Sequence, residues 1–158
     1  MHDKTIPKPL TEKWQNRFEE LCDIFASWSK DPSSKVGALI VDDDCRFISV
    51  GYNGFPKHIP DTEELLNNRE MKYKHVIHAE QNAIDNAVPE RLVGSTLFVT
   101  HYPCPKCSEE IIKNKIKTVV VLRYNRSYET RWSEMLSESR KMLKKANVEI
   151  IRKETYHE

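Results

Sequence analysis

The sequence predicts an α/β fold in which a mixed sheet of about five strands is flanked by helices. Short runs of β-branched and other apolar residues alternate along the chain with segments of helical periodicity. The first two of these runs are close enough to form a hairpin, whereas helices separate the later ones, and this combination favours a sheet covered by helices. The chain has 158 residues, enough for one domain with a buried core.

The first half of the chain contains one long predicted helix and one predicted hairpin. Residues 11–29 have the helical period, with Thr11 as a cap. Residues 36–41 and 46–51 are predicted strands joined by an aspartate-rich turn. A polar excursion follows at 52–75, with a short helix at 61–71, and its length indicates a functional loop. We interpret the apolar stripe of the first helix as core; it comprises Trp14, Phe18, Leu21, Cys22, Phe25 and Trp28.

The second half alternates helices and strands. We predict a helix at 79–87 that stops near Pro89, a second helix that begins at the two cysteines near residue 105, and a third at 130–146. Strands are predicted at 96–101, 118–122 and 148–152. We expect residues 1–158 to form a single domain, with residues 1–10 as a flexible N-terminal tail.

Composition and charge exclude several classes of protein. The net charge is +1 and the lysines and arginines are spread along the chain, which argues against a nucleic-acid-binding surface. No apolar run approaches the ~20 residues of a membrane span, and the first ten residues lack the apolar core of a signal peptide. The four cysteines fit a reducing compartment, so we expect a cytoplasmic protein without membrane or nucleic-acid partners.

Three residues have the spacing of a zinc site, and a fourth supplies a carboxylate. His78 is followed by Glu80, and Cys104 and Cys107 form a Pro-Cys-x-x-Cys motif. One imidazole and two thiolates hold Zn²⁺ and leave a fourth position for water, which the metal acidifies. Glu80 is the carboxylate that can take the water proton and pass it to a leaving amine. This pattern is the signature of zinc-dependent nucleobase deaminases.

The two-residue spacing of His78 and Glu80 restricts the backbone conformation between them. Side chains two residues apart on a regular helix point to nearly opposite faces. We therefore expect His78 at an irregular first turn, where it can converge with Glu80. The two cysteines are expected to open a helix, because Pro103 and Pro105 suit its start and its amino end favours thiolates.

A closed structural zinc site is the alternative to a catalytic one. Such a site needs a fourth protein ligand. Cys22 and Cys45 lack paired spacing, although either could come near the metal, and His75 could reach the metal or line the approach to it. We interpret His75 as an ordinary loop histidine.

Several further motifs make the chain resemble the deoxycytidylate (dCMP) deaminase family from about Leu21 to Ile150. The zinc motif is shared by many deaminases, whereas the Ser-Lys-Asp-Pro and Gly-Tyr-Asn-Gly-Phe-Pro segments are far more specific to this family. The matching segments are Ser29–Pro32, Lys35–Ala38, Gly51–Pro56, His78–Ile84, and Pro103–Cys107 followed by Ile111 and Ile112.

The resemblance implies a fold, a reaction and part of a substrate site. The fold would be the three-layer cytidine deaminase-like fold. The reaction would be the hydrolytic deamination of dCMP to dUMP and ammonia, which supplies dUMP for thymidylate synthesis. Asn53 would contact the deoxyribose 3'-hydroxyl, and the backbone amide of Ala79 would donate to the cytosine carbonyl. Asn53 before Gly54 is also a common turn former.

The 5'-phosphate of such a substrate needs hydrogen-bond donors. We favour Lys30 and Tyr128, with Ser29 beside the first and Arg126 as a further candidate. Residues 124–132 follow the fourth strand, where the carboxyl edge of a sheet often borders a ligand crevice. The further polar and aromatic side chains there are Tyr124, Arg131 and Trp132.

Regulation is also implied by the resemblance. Many members of the family are hexamers that dCTP activates and dTTP inhibits, and a nucleoside triphosphate with Mg²⁺ would lie near the Gly-Tyr-Asn-Gly-Phe-Pro segment. The excursion after Pro60 departs from the family pattern, because it has no evident cysteine or histidine pair for a second zinc ion. The residues for an effector would be Gly51, Tyr52, Asn53, Gly54, Phe55, Lys57, Asn68 and Arg69.

Three other functions remain as alternatives to dCMP deamination. They are deamination of another cytosine nucleotide, including dCTP, editing of a nucleic acid, and a nonenzymatic zinc-binding role. An editing enzyme needs aromatic and basic groups around an open groove, whereas the aromatic residues here lie mainly in helical stripes. A nonenzymatic site would have no use for Glu80.

Overall fold

The computed structural model describes residues 6–123 and 125–153, which contain a five-stranded mixed sheet. Its strand order is β2-β1-β3-β4-β5. Strand β1 pairs antiparallel with β2 and β3, whereas β3, β4 and β5 are mutually parallel. The predicted mixed sheet is therefore confirmed. The strands are β1 (Gly37–Val41), β2 (Phe47–Tyr52), β3 (Thr96–Val99), β4 (Thr118–Val121) and β5 (Glu149–Arg152).

Helices follow or separate most of these strands. None of the described helices is both long and apolar enough to span a bilayer. After a short 3-10 helix at Lys8–Leu10, the helices are α1 (Glu12–Ser27), α2 (Glu63–Asn67), α3 (Arg69–His75), α4 (Ala79–Asp85), α5 (Pro89–Leu92), α6 (Pro105–Lys113), α7 (Arg126–Arg131) and α8 (Ser133–Lys145).

The two faces of the sheet are covered by different helices. Alternate residues of a strand point to opposite faces. Leu39 and Phe98 belong to one core with Phe18 of α1, whereas Ile40 and Leu97 belong to a separate core with α4, α6 and α8. All four central side chains are fully buried. The sheet is thus the middle of three layers, as the cytidine deaminase-like fold requires.

The parallel strands place two helix starts at one edge of the sheet. Parallel neighbours end at the same edge, and β3 and β4 are in register from Thr96↔Thr118 to Val99↔Val121. The chain leaving β3 runs through residues 100–104 into α6. Helix α4 packs on β1 and β2 and also contacts α6, so the amino ends of α4 and α6 lie together.

The predicted stripe of α1 is wrong at its last position. Phe18, Cys22 and Phe25 are buried, but Trp28 is 53% exposed. The helix ends at Ser27, and Trp28 is its C-cap with helical backbone angles (φ −79°, ψ −15°), but it lies outside the buried core clusters and packs edge-on against Phe25 and Tyr52. At the other end, the Thr11 hydroxyl makes no capping bond and instead donates to the Lys8 carbonyl.

Two predicted helices are each divided in the structure. The helix predicted at 61–71 is split at Asn68, which is extended and whose side chain accepts a hydrogen bond from the Met71 backbone. The helix predicted at 130–146 is split at Trp132, which has non-helical angles (φ −110°, ψ 23°). In the predicted N-terminal tail, Pro9 is buried, and residues 1–5 lie outside the described residues.

Candidate active site

Three ligand atoms converge where α4 and α6 begin. The His78 Nδ1 atom lies 3.5 Å from the Cys104 Sγ atom and 3.4 Å from the Cys107 Sγ atom. Tetrahedral zinc, with bonds of about 2.0 Å to nitrogen and 2.3 Å to sulfur, separates such atoms by about 3.5 Å. The three residues therefore fit Zn²⁺ in both chemistry and spacing, and they form a candidate metal site.

The start of α4 brings His78 and Glu80 to the same place. His78 is the N-cap of the helix and has extended backbone angles (φ −71°, ψ 157°), which releases its side chain from the helical period. Glu80 lies in the first turn and is only 4% exposed. The irregular first turn that the spacing demanded is present, so the two side chains can act on one ligand.

The start of α6 positions the two cysteines. Cys104 is the N-cap, Pro105 is the first helical residue, and the Cys104 Sγ atom accepts a hydrogen bond from the Cys107 backbone N–H (3.5 Å). A proline suits this position because its missing N–H would have no intrahelical partner. The predicted helix opening is therefore confirmed, and the positive end of the helix dipole favours thiolates here.

The electrostatics of the cluster favour the thiolate form of Cys104 and the protonated form of Glu80. The hydrogen bond from the Cys107 thiol lowers the pKa of Cys104 to about 4. Burial opposes this shift, and the hydrogen bond with His78 adds to it. The bond with Cys104 raises the pKa of His78. Burial raises the pKa of Glu80, while His78 opposes that rise. A carboxyl group held in this way is suited to carry a proton.

Tyr128 and His101 form one wall beside the cluster. The Tyr128 hydroxyl donates to the Tyr102 carbonyl (3.4 Å), and its pKa is raised by burial and then by the charges of Glu80 and Cys104. His101 packs edge-on against Tyr128, with ring centroids 5.3 Å apart. Of the predicted phosphate donors, Tyr128 therefore lies next to the candidate metal site.

Asn53 is held from several sides at the edge of the site. Its Oδ1 atom accepts from the Val36 backbone (2.9 Å), its Nδ2 atom donates to the Ser34 carbonyl (2.8 Å), and its own carbonyl accepts from the Ser29 hydroxyl (2.9 Å). The next residue, Gly54, pairs with Ile77, directly before His78. This bridge joins the Gly-Tyr-Asn-Gly segment to the metal-binding histidine.

A cleft of about 250 Å³ lies between the Asn53 segment and the excursion. Lys30 lies on its rim, exposed, with Nζ 3.4 Å from the Asp61 carboxylate. Tyr52, Asn53, Gly54, Phe55 and Lys57 also line it, so five of the eight predicted effector residues share one cavity with Lys30.

The other predicted contact residues lie elsewhere. Asn68 and Arg69 start α3 and are not among the described residues that line the cleft. Arg126 is exposed at the start of α7. Tyr124 lies outside the described residues.

The backbone of Gly51 lies close to the backbone of α4. A Cβ atom there would lie 2.3 Å from the Ala79 carbonyl oxygen and 2.5 Å from the Ala83 backbone nitrogen, whereas at Gly54 nothing lies within 4 Å. The space beside Gly51 is filled by α4. Its lack of a side chain lets this helix pack on β2.

Sequence reasoning missed Lys72, the one buried residue of α3. Its Nζ atom lies 3.1 Å from Asp31 Oδ1 and also contacts the Ser33 hydroxyl. Burial acts to raise the pKa of Asp31, but hydrogen bonds from the Ser33 backbone and from Lys72 lower it. No local sequence signal pointed to this role, because the partner is 41 residues away.

The alternative metal ligands do not join the cluster. Cys22 is buried against β3, where its thiol donates to the Phe98 carbonyl (3.8 Å). Cys45 lies in the hairpin turn with a left-handed backbone (φ 64°). His75 ends α3. Within the described residues the cluster contains three ligand atoms, without Cys22, Cys45 or His75.

The comparisons with known proteins agree with this geometry. Residues 12–123 match the model of the cytidine and deoxycytidylate deaminase zinc-binding region. An uncharacterised deaminase of Aliivibrio fischeri is 39% identical over 141 residues, covering 89% of this chain and 94% of that protein. The mouse deoxycytidylate deaminase is 36% identical over 133 residues, covering 78% of this chain and 74% of that one.

Solved structures show the same architecture. The dCMP deaminase of the cyanophage S-TIM5 in its apo form matches with a TM-score of 0.70 at 25% identity, over 91% of this chain and 100% of that chain. The same enzyme in complex with dCMP and dUMP matches with a TM-score of 0.69, over 91% and 99% of the two chains.

The fold and the site together define a deaminase domain with a His/Cys/Cys candidate zinc site. Because the family model covers most of the chain and the mouse enzyme is more than 30% identical, the chain belongs to the cytidine and deoxycytidylate deaminase family.

Proposed function

We propose that this protein is a dCMP deaminase that hydrolyses dCMP to dUMP and ammonia, as a single domain that binds Zn²⁺. One observation carries the proposal: a buried carboxylate, Glu80, lies beside a metal site with three protein ligand atoms. His78, in that site, is exposed to solvent. A structural zinc site would have a fourth protein ligand. Three ligands and an adjacent acid leave a position for water and a group that can move its protons.

The reaction exchanges the amino group at C4 of cytosine for the oxygen of water. When bound, zinc acidifies a water molecule and makes it a nucleophile near neutral pH. Glu80 accepts a proton as the C4–O bond forms and delivers it to the ring nitrogen N3. Glu80 then takes the second proton from the new C4 hydroxyl and passes it to the amino group, so that the C4–N bond breaks, ammonia leaves and the C4 oxygen becomes a carbonyl. Burial of Glu80 supports this role, because the raised pKa makes the carboxyl group able to hold the proton.

The surrounding residues orient the nucleotide in this proposal. The Ala79 N–H is in the first turn of α4, where backbone donors have no intrahelical partner, and it donates to the cytosine carbonyl. The Asn53 side-chain NH2 has two hydrogens, and one of them bonds the Ser34 carbonyl. The other hydrogen contacts the deoxyribose 3'-hydroxyl. Tyr128, Lys30, Ser29 and Arg126 are the candidates for the 5'-phosphate.

A direct assay tests the proposed activity. Ammonia release is measured side by side with dCMP, dCTP, deoxycytidine and a cytosine-containing oligonucleotide. We expect dCMP to be turned over with the highest kcat/KM. Preference for dCTP or for the oligonucleotide would replace the proposed substrate, and no release from any of them would contradict a deaminase role.

Lys30 can be tested in the same assay. Lys30→Ala should raise the KM for dCMP much more than the KM for deoxycytidine, which has no phosphate. An equal change for both substrates would remove Lys30 from the phosphate site.

We also propose that the cleft next to Lys30 receives a regulatory nucleotide. The family resemblance supports activation by dCTP with Mg²⁺, inhibition by dTTP, a hexameric assembly and a role in supplying dUMP for thymidylate synthesis. The cleft offers aromatic side chains and lysines, including Tyr52, Phe55 and Lys57, which suit a base and phosphates. A dCMP saturation curve that is hyperbolic and unchanged by dCTP and Mg²⁺ would contradict this regulation.

A further inference from the structure

Helix α3 is attached to the protein by an ion pair in an unusual place. Lys72 and Asp31 have side chains only 11% and 7% exposed, and their charged atoms are 3.1 Å apart. Taking two charges out of water costs free energy that their attraction rarely exceeds, so an apolar pair would serve stability at least as well. A buried ion pair instead specifies one geometry, since each charge needs its partner at a fixed place.

Asp31 transmits this geometry to the loop that follows it. Its Oδ1 atom accepts hydrogen bonds from the Ser33 backbone N–H (2.9 Å), the Ser33 hydroxyl (2.9 Å) and the Ser34 backbone N–H (3.2 Å). Lys72 binds the same oxygen and the same hydroxyl. The conformation of residues 31–34 therefore depends on one carboxylate that Lys72 neutralises.

The same loop holds the side chain of Asn53. The Ser34 carbonyl accepts from Asn53 Nδ2, and the Val36 N–H donates to Asn53 Oδ1. Helix α3 also leads directly to Ile77, whose backbone exchanges hydrogen bonds of 2.8 and 3.1 Å with Gly54. Lys72 thus acts on the Asn53 segment from two directions, through Asp31 and through the bridge before His78.

We propose that Lys72 is a positioning residue that fixes Asn53 for nucleotide binding. This inference depends on the proposed function, because it takes Asn53 as a contact of the dCMP sugar. Lys72 lines the cleft proposed for the regulatory nucleotide, but its ammonium group is turned to Asp31, so it acts through the loop and not as a ligand of either nucleotide. The sheet core does not include α3, so the loss of Lys72 should change binding more than folding.

The test compares Lys72→Met with a matched change on the same helix. Lys74 lies two residues further on and is exposed, so Lys74→Met removes the same charge without touching Asp31. We expect Lys72→Met to raise the KM for dCMP about tenfold, because it leaves a buried carboxylate without its charged partner. We expect kcat within about twofold of the unmodified enzyme, full zinc content, and a normal KM for Lys74→Met.

A second variant, Asp31→Asn, keeps the inference testable if Lys72→Met does not fold. Asp31→Asn keeps an oxygen for the loop and removes the charge that Lys72 neutralises. It should raise the KM similarly, and the double variant Asp31→Asn, Lys72→Met should be no worse than either single variant, because the two residues act as one unit.

The outcomes separate this inference from the proposed function. A KM within twofold of normal in Lys72→Met, additive effects in the double variant, or a loss of kcat that parallels a loss of zinc would overturn the positioning role. Absence of dCMP deamination in the unmodified protein would instead refute the proposed function itself.

Discussion

The packing of α4 on β2 yields a sharp prediction about Gly51. In Gly51→Ala, the new Cβ atom would lie 2.3 Å from the Ala79 carbonyl oxygen, short of ordinary contact by about 1 Å. The Ala79 carbonyl is part of the backbone of α4, and the new Cβ atom is fixed to the backbone of β2. The clash can therefore be relieved only if α4 moves away from the strand. Overpacking of this kind costs about 1–3 kcal/mol.

The same shift should reach the reaction centre. His78 caps α4 and Glu80 lies in its first turn, so a displacement of about 1 Å misplaces both and can lower the rate on the order of 100-fold. Gly54→Ala is the matched control from the same motif, because no heavy atom lies within 4 Å of its Cβ position and its φ is not positive. Both variants are assayed without an effector nucleotide, since Gly54 lines the cleft proposed for one.

Urea unfolding and steady-state kinetics measure the two effects. Gly51→Ala should lower the unfolding midpoint at unchanged slope, and its kcat/KM should fall, while Gly54→Ala stays close to the unmodified enzyme in both. If Gly51→Ala matched Gly54→Ala in stability and activity, α4 would not need to be so close to β2 and the packing argument would be wrong.

Three further predictions concern the site. Glu80→Gln should keep its zinc, measured by atomic emission, but lose about 100- to 10,000-fold in ammonia release; a near-normal rate would exclude Glu80 as the proton carrier. Cys107→Ser should lose zinc and stability together because metal binding couples to folding, whereas Cys45→Ser should keep its full zinc content. Burial, and then the positive charge of Arg123, lower the pKa of His101 to about 4. Folding therefore disfavours protonation of the His101 imidazole. The free energy of unfolding should fall by up to about 3 kcal/mol as the pH is lowered from about 6.5 toward 4. His101→Gln should show a flatter pH dependence of its unfolding free energy, and an identical slope would contradict a buried neutral imidazole.

Local sequence was enough to predict the reaction centre and most of the sheet. Zinc chemistry requires ligand types at short spacing, and each half of the candidate site lies within four consecutive residues, His78–Glu80 and Cys104–Cys107. The demand for an irregular turn at His78 followed from helix geometry alone. The strands could be located because apolar runs between turn residues carry their signal within five or six positions.

What the sequence alone could not supply are the contacts that depend on distant segments. Trp28 continues the helical stripe by period, but it lies beyond the buried core and is exposed. Gly51 belongs to a motif associated with ligands, and only the position of α4 shows that its missing side chain makes room for a helix. Lys72 is one of many lysines until the fold brings it to Asp31.

The division has a physical cause. Ligand type, spacing and backbone period are properties of a few neighbouring residues, so the chain alone determined the zinc-binding set, the acid beside it and the alternation of strands and helices. Burial and ion pairing depend on which distant surfaces meet when the core packs. The tertiary structure alone therefore decided which glycine admits α4 and which lysine holds the loop beside Asn53.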